Sequence, residues 1–296
     1  MYKISNFITH SGKRVRTHMV VLILAWIGFV PQFRAQTLLT ESFNYPAGIL
    51  LTGAQWSQIE TGTPTVSVSA GNLIMANSIG DGMGNKVILS NVGQDVYKTF
   101  TGTALNATVP AIYAHAVVNV SAAQAAGDYF LSLGTTTTSI AKVYIRSNGA
   151  GFSFGVLRNT GTVEYESVER PFNTNISLVL KYEQVTGTIN DIVKLYVNPS
   201  AGTEPAVADI SHTGTAADTS SFAAIQLYQG TTAVTTNAPT LEIDNIVVNT
   251  TWAGVTSAVY DYGDTPRSYD NTKDGVFAPA GHSLLSGLHL GTIAPD

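Results

Sequence analysis

Two acidic residues near opposite ends of the predicted domain could together hold a calcium ion. Glu41 lies near its start and Asp244 near its end, with the amide oxygen of Asn245 beside it. Calcium takes roughly six to eight oxygen ligands, so carbonyls and water would complete the shell. If the first and last strands of a β-sandwich lie side by side, the two carboxylates meet at one edge. The alternative is that Glu41 is an exposed strand-end charge and Asp244 a hydrogen-bonding turn residue.

A catalytic interpretation rests on residues 241–244 (LEID). They resemble the Glu-Ile-Asp core of a retaining jelly-roll glycosidase family, which needs two carboxyls about 5 Å apart and a third carboxylate. Here the third acidic position falls on Ile246 or Val247, and neither can donate a proton. We therefore expect no enzyme activity. A degenerate glycoside hydrolase ranks third, behind the two non-catalytic interpretations given at the end of this subsection.

Tyrosines offer a different chemistry. Sandwich lectins stack sugar rings on exposed aromatic side chains that are flanked by amides and carboxylates. The chain has 13 Tyr, 11 Phe and 3 Trp, although most aromatics of a sandwich are core residues or cross-strand pairs. The possible platform residues are Tyr97, Tyr113, Tyr129, Tyr144, Tyr165 and Tyr228.

The elements that must position these residues are predicted to be strands. Charged residues make up only 12% of the chain, no helical periodicity is sustained, and Gly, Asn, Asp and Pro clusters separate short apolar runs. In residues 142–146, Val143 and Ile145 share one face while Lys142, Tyr144 and Arg146 share the other. The sequence therefore predicts an all-β, two-sheet antiparallel sandwich of jelly-roll type. The predicted strands include 73–76, 86–89, 112–120, 129–133, 142–146, 152–157, 176–182, 192–197, 224–228 and 241–248.

The predicted organisation has four parts. Residues 1–35 read as a signal peptide, with a basic segment, an apolar run of about a dozen residues and Ala35 before the cleavage point. The sandwich occupies 36–252, with a single helical turn expected at 121–126. Residues 253–258 (AGVTSA) are a flexible linker by composition. Residues 259–296 form a short irregular tail, the truncated start of a second surface-protein module.

Net charge and the absence of cysteine limit the possible binding partners and the possible chemistry of the protein. The five basic residues of 1–35 leave ten basic against twenty acidic side chains, a net charge of −10. This argues against nucleic acid and against an anionic membrane, since both require a basic face. No later stretch is long and apolar enough to insert into a membrane. The absence of cysteine excludes disulfides and thiol chemistry and favours bacterial export.

Several segments together resemble the LamG-like, concanavalin-type jelly-roll module of exported Bacteroidetes-type bacterial proteins. They occur in the expected order over most of the predicted domain. They are residues 41–48 (ESFNYPAG) with Trp56, 127–130 (GDYF), 152–155 (FSFG), Tyr182, 190–191 (ND), 195–199 (LYVNP), 204–205 (EP), 243–246 (IDNI) and Trp252.

The tail resembles another element, the segment that leads into GEVED-type modules of bacterial surface proteins. The resemblance lies in residues 261–264 (DYGD), Pro266, 268–269 (SY), His282 and 288–291 (LHLG). The two resemblances imply an exported, non-catalytic module that acts in adhesion or carbohydrate recognition at the cell surface. The alternative is a purely structural spacer in a large surface protein.

Overall fold

The structure is a computed structural model that describes residues 36–75, 84–230 and 237–256, together with the backbone of four short strands between residues 260 and 283. Residues 1–35, predicted to be a signal peptide, and most of 259–296 lie outside the described residues.

Fifteen strands and one short α-helix form the described part of the chain up to residue 256. A 3-10 turn at Leu51–Gly53 follows the first strand. The strands are β1 (Thr37–Glu41), β2 (Ser57–Glu60), β3 (Val68–Ser69), β4 (Lys86–Leu89), β5 (Asp95–Ala104), β6 (Ala111–Ala122), β7 (Asp128–Gly134), β8 (Ser139–Asn148), β9 (Gly151–Arg158), β10 (Glu164–Tyr165), β11 (Asn175–Glu183), β12 (Ile192–Val197), β13 (Ile210–His212), β14 (Ser221–Leu227) and β15 (Thr240–Asn249); the helix is α1 (Ala253–Thr256).

The strands form two antiparallel sheets. The eight-stranded sheet has the order β13-β12-β11-β6-β15-β4-β3, and β1 also pairs with β15. The seven-stranded sheet has the order β10-β9-β8-β7-β14-β5-β2. The predicted two-sheet sandwich is therefore confirmed, as is the pairing of the first strand of the domain with its last strand.

The core lies between the two sheets and is filled from both. Phe130, Phe154 and Ile225 of the seven-stranded sheet and Leu180 and Ile243 of the eight-stranded sheet are fully buried in one apolar cluster. The residues next to them in each strand point to the outer face of the sheet, because successive side chains of a strand alternate between its two faces. The outer faces are thus free to carry polar and aromatic groups.

Nine of the ten predicted strand segments fall on observed strands, and the segment at 73–76 does not. In its described part, Leu73 donates its N–H to Asp244 Oδ2 (2.9 Å) and accepts a hydrogen bond from Asn245 Nδ2 (3.1 Å). The backbone N–H and carbonyl of Leu73 are thus hydrogen-bonded by side chains and not by a neighbouring strand. The helical turn predicted at 121–126 is also wrong, because residues 121–122 end β6.

The segment predicted as a flexible linker begins with a packed helix. In α1, Val255 is fully buried and contacts a cluster on the outer face of the eight-stranded sheet that includes Trp252 and Tyr196. The tail is not irregular throughout its described residues either. Strands β16 (Tyr260–Asp261) and β19 (His282–Ser283) pair with each other, as do β17 (Asn271–Lys273) and β18 (Val276–Ala278). Among the described residues, no helix has the length and apolar character needed to cross a bilayer.

Candidate functional site

Four tyrosines form a row across the outer face of the seven-stranded sheet. Tyr129 on β7 lies opposite Tyr144 on β8, and Tyr144 and Tyr165 both lie opposite Gly155 on β9. Directly opposed residues of antiparallel strands project to the same face. Tyr228 follows β14 and extends the row, since its ring centroid lies 4.3 Å from that of Tyr129. We call Tyr228, Tyr129, Tyr144 and Tyr165 the tyrosine row.

A second line of residues runs beside this row on the same face. Tyr97 lies opposite Gln226, Gln226 opposite Ser132, and Ser132 opposite Lys142. Lys142 precedes Tyr144 by two residues on β8, so the two lines share one side of the sheet. The tyrosine row together with Tyr97, Lys142 and Arg146 is called the tyrosine face below.

Ring geometry shows how tightly the row is built. The centroids of Tyr129 and Tyr144 are 5.4 Å apart, within the range of favourable aromatic pairs. Gly155 explains the position of Tyr165: a Cβ there would lie 2.6 Å from Cδ1 of that ring. Only glycine lets the ring lie against the backbone of β9.

Hydrogen bonds fix the other end of the row. Ser139 Oγ lies 2.6 Å from the Tyr228 hydroxyl and 2.8 Å from Gln226 Oε1, while Gln226 Nε2 donates to the Thr135 carbonyl at 2.7 Å. Burial raises the pKa of Tyr129 and of Tyr228 above its usual range. These phenols stay protonated and serve as hydrogen-bond donors and acceptors.

Two cations lie against the rings. Lys142 Nζ is 5.2 Å from the Tyr129 centroid and donates to the Asn159 carbonyl at 2.8 Å, and burial lowers the pKa of this lysine. The guanidinium carbon of Arg146 lies 4.0 Å from the Tyr165 centroid. Both distances fall in the range of cation–π contacts.

Of the six tyrosines predicted as possible sugar platforms, five lie on the outer face of the seven-stranded sheet and one lies on the other sheet. Tyr97, Tyr129, Tyr144, Tyr165 and Tyr228 meet on one face, where all are half-buried. Tyr113 lies on the outer face of the other sheet, donates to Glu204 at 2.9 Å and packs against Trp252. The predicted shared face of Lys142, Tyr144 and Arg146 matches the register. Gly155 and Gln226 were not predicted, because only strand pairing reveals them.

Glu41, the first predicted calcium ligand, lies on the inner side of the eight-stranded sheet. Its Oε1 accepts from the Phe43 N–H (2.8 Å), and its Oε2 accepts from the Tyr45 hydroxyl (3.0 Å), Trp56 Nε1 (3.1 Å) and Lys98 Nζ (2.5 Å). Four donors surround this carboxylate, which is buried with only 4% of its surface exposed. Glu41 is therefore not an exposed strand-end charge.

Asp244 and Asn245, the other two predicted ligands, lie at a β-bulge of β15. The register against β6 shifts between Asp244 and Val247, and Asn245 has a φ of +53°. Asp244 is fully buried and accepts from the N–H groups of Leu73 and Asn245. The carbonyl of Asn245 lies 2.9 Å from Nδ1 of His115.

The structure does not bring Glu41 together with Asp244. Glu41 pairs with Ile246, whose side chain enters the core, whereas Asp244 pairs with Val117 on the outer side. Without the bulge, residues 244 and 246 would share a face; with it, the sheet separates the two carboxylates. Among the described residues, no three His, Asp or Glu side chains are grouped to hold a metal ion. Calcium binding stays a prediction from the sequence.

The acidic pair of the catalytic interpretation is engaged within the fold. Glu242 Oε1 forms an ion pair with Lys86 Nζ at 2.8 Å on the outer side of β15. Asp244, two residues on, is held by the backbone N–H groups described above.

A separate cleft of about 530 Å³ lies at the loop after β11. Asp191 and Asp218 line it, and both are bound within the protein: Asp191 by the Tyr182 hydroxyl (2.7 Å), Asp218 by Arg158 Nη1 (3.1 Å). Asp218 Oδ2 and Asn190 Oδ1 are buried without a hydrogen-bond partner. The cleft has no aromatic lining residue, so it lacks the stacking surface of the tyrosine face.

Comparison with known proteins gives only distant structural likenesses. No family model matches the sequence, and no curated protein matches it. The chain is similar to the CBM2 module of the evolved Dit of Lactobacillus casei BL23 phage J-1, at 9% identity and a TM-score of 0.41, over 74% of this chain and 96% of that one.

Two further likenesses are of the same order. The endo-1,3-beta-glucanase of Streptomyces sioyaensis has 10% identity and a TM-score of 0.39, over 75% of this chain and 98% of that one. Trypanosoma rangeli sialidase in complex with sialic acid has 12% identity and a TM-score of 0.42, over 83% and 38% of the two chains. Likenesses at this level assign no function to the chain.

Proposed function

We propose that this protein is a non-catalytic glycan-binding module that acts outside the cell, in adhesion or recognition at a bacterial surface. The observation that carries the proposal is the tyrosine row. Four tyrosines contributed by or next to four strands lie on one outer sheet face, with a fifth, Tyr97, beside them.

The form of the row suits an extended sugar chain. Neighbouring strands lie about 4.8 Å apart, so a row from β14 to β10 spans roughly 19 Å. Aromatic rings offer flat apolar surface to the C–H faces of sugars, and their hydroxyls offer hydrogen bonds at the edges. Ser139 and Gln226 already hold Tyr228 in place, which lowers the entropy lost on binding.

Binding to a glycan array, followed by affinity measurement for the best ligand, tests the proposal. We expect the double variant Tyr129→Ala/Tyr144→Ala to bind at least about tenfold more weakly, because two stacking rings are lost. Tyr144→Phe keeps the ring and should retain most of the affinity. Ile88→Ala removes an exposed apolar side chain from the other sheet and should change nothing.

The opposite outcome is also defined. If a folded wild-type protein binds no glycan, or if the double variant binds as well as wild type, the tyrosine face is not a sugar platform. Silence across the array favours the structural spacer.

A further inference from the structure

Within the described residues, the Lys and Arg side chains of the tyrosine face differ from the others in forming no ion pair. Residues 36–75, 84–230 and 237–256 contain eight Lys and Arg side chains. Six of them form ion pairs with Asp or Glu side chains: Lys86, Lys98, Arg158, Arg170, Lys181 and Lys194. Lys142 and Arg146 form no ion pair within these ranges, and both lie on the tyrosine face.

Both cations keep hydrogen-bonding capacity for a ligand. An ammonium has three donors, and Lys142 uses one of them on the Asn159 carbonyl. A guanidinium that stacks on a ring keeps its N–H groups in its own plane. Arg146 lies in this way on Tyr165 and is exposed, and its guanidinium makes no hydrogen bond within the described residues.

The two charges flank the tyrosine row. Lys142 and Arg146 lie two residues before and two residues after Tyr144 on β8, so their backbone positions are about 13 Å apart on opposite sides of the row. A sugar chain that follows the row passes between them. Acidic groups on either edge of such a chain would reach one cation.

Asp128 is an acidic neighbour of Lys142, and its charge raises the pKa of this lysine against the effect of burial. Asp128 accepts from the Tyr129 N–H at 2.8 Å and forms no ion pair with either cation. Burial raises the pKa of this carboxyl, whereas the charge of Lys142 lowers it. Residues 36–296 have twice as many acidic as basic side chains, so two cations without an ion pair on one aromatic face stand out as candidates to bind an anionic ligand.

We propose that the tyrosine face selects glycans that carry carboxylate or sulfate groups, with Lys142 and Arg146 as the residues that contact the anions. This inference rests on the proposed glycan binding and adds the class of ligand. Charge-assisted hydrogen bonds to lysine and arginine supply the preference for anionic over neutral glycans. The tyrosine rings supply stacking that does not depend on the charge of the sugar.

Three probes of equal chain length test the selection by titration calorimetry: an oligogalacturonate, the same oligomer after reduction of its carboxyl groups, and an oligomer of a sulfated galactan. We expect at least one acidic probe to bind about tenfold or more tightly than the neutral one. The better of the two acidic probes identifies the anionic group.

Matched variants assign the preference to its residues. In Lys142→Gln/Arg146→Gln, we expect acidic and neutral probes to bind with equal affinity, because the two side chains that contact the anions no longer carry charge. Lys194→Gln removes the same charge from the other sheet and should keep the preference. Thermal melting of each variant checks that the fold is intact.

The outcomes separate the two proposals. Equal binding of acidic and neutral probes by wild type, or a preference that survives in the double variant, overturns the anion selection alone. If wild type binds none of the three probes but binds an uncharged glycan on the array through the tyrosine row, the selection is likewise wrong and the glycan-binding function stands. Silence toward every probe and the whole array overturns both.

Discussion

The carboxyl group of Asp95 is buried at the start of β5 and accepts a hydrogen bond from the Gln229 N–H at 2.8 Å. Burial raises the pKa of Asp95 to about 7, and the nearby charges of Glu60 and Asp128 add to the shift. His115 is shifted the other way, because burial lowers its pKa to about 4. Its Nδ1 carries the proton, since the Asn245 carbonyl can only accept, and its Nε2 accepts from the Ser177 hydroxyl.

The two groups give stability opposite dependences on pH. The folded state binds the Asp95 proton more tightly than the unfolded state, so this group lowers the free energy of unfolding as pH rises from about 4 to 7. His115 is neutral in the fold to lower pH than in the unfolded chain. Its contribution is therefore present above about 6.5 and is lost as pH falls toward 4.

We expect Asp95→Asn to stabilise the protein at pH 8 and to leave it nearly unchanged at pH 4. Asparagine can accept the same hydrogen bond from Gln229 but carries no charge to bury. Each unit of pKa shift corresponds to about 1.4 kcal/mol, so the shift from 3.8 to about 7 sets an upper limit of roughly 4 kcal/mol on the gain at pH 8. Urea unfolding of both proteins at pH 4, 6 and 8 measures it. His115 is common to both proteins, so its pH dependence cancels, and parallel curves across this range would contradict the pKa assignment.

At the scale of elements, strand order makes the tyrosine row. β14 lies next to β7, although Gln226 and Ser132 are far apart in sequence, and this pairing brings Tyr228 beside Tyr129. At the other end, β10 is only two residues long and pairs with β9 at Gly155. The position of Tyr165 therefore depends on the space that this glycine leaves.

Gly155→Ala should displace Tyr165 from the row. The added methyl would lie 2.6 Å from the ring, which must move away and carry the stacked Arg146 with it. We expect weaker glycan binding and a loss of about 1–3 kcal/mol in the free energy of unfolding, as in other overpacked sites. Calorimetric binding and urea unfolding measure the two effects.

Gly102→Ala on β5 is the matched control for this substitution. The nearest atom to its added methyl lies 4.0 Å away, so neither quantity should change appreciably. If the two alanine variants behave alike, Gly155 is not what positions Tyr165.

The sequence predicted where the strands lie in the chain better than it predicted the register in which they pair. Alternation in residues 142–146 correctly predicted which side chains share a face, because the period of a strand is local. The pairing of β1 with β15 was also predicted. The bulge at Asn245 was not, and it decides that Glu41 and Asp244 lie on opposite sides of the sheet. A single extra residue reverses the face of everything beyond it, and nothing in the local pattern marks where it occurs.

At the scale of the whole molecule, the sandwich continues past the boundary expected at residue 252. Val255 of α1 is fully buried against Trp252, Tyr113 and Tyr196 on the outer face of the eight-stranded sheet. The short helix therefore covers apolar surface that a flexible linker would leave exposed. On the opposite sheet, no helix within the described residues covers the tyrosine row, whose rings are half-buried.

Val255→Ala should destabilise the whole domain. Removal of buried methyl groups beside Trp252 costs about 1–3 kcal/mol, through lost transfer energy and the cavity left behind. Val207→Ala, at a side chain that is 82% exposed, should change the free energy of unfolding by less than about 0.5 kcal/mol. Urea unfolding compares the two. Equal stabilities would mean that 253–256 behaves as a linker after all.

Both sheets end in short strands: β13 and β3 of the eight-stranded sheet have three and two residues, and β10 and β2 of the seven-stranded sheet have two and four. The fifth terminal strand, β1, has five. Each offers too little unpaired backbone to template a neighbouring chain. Many copies crowded side by side would thus resist fusing into cross-β aggregates, and dense display would leave every copy separately folded.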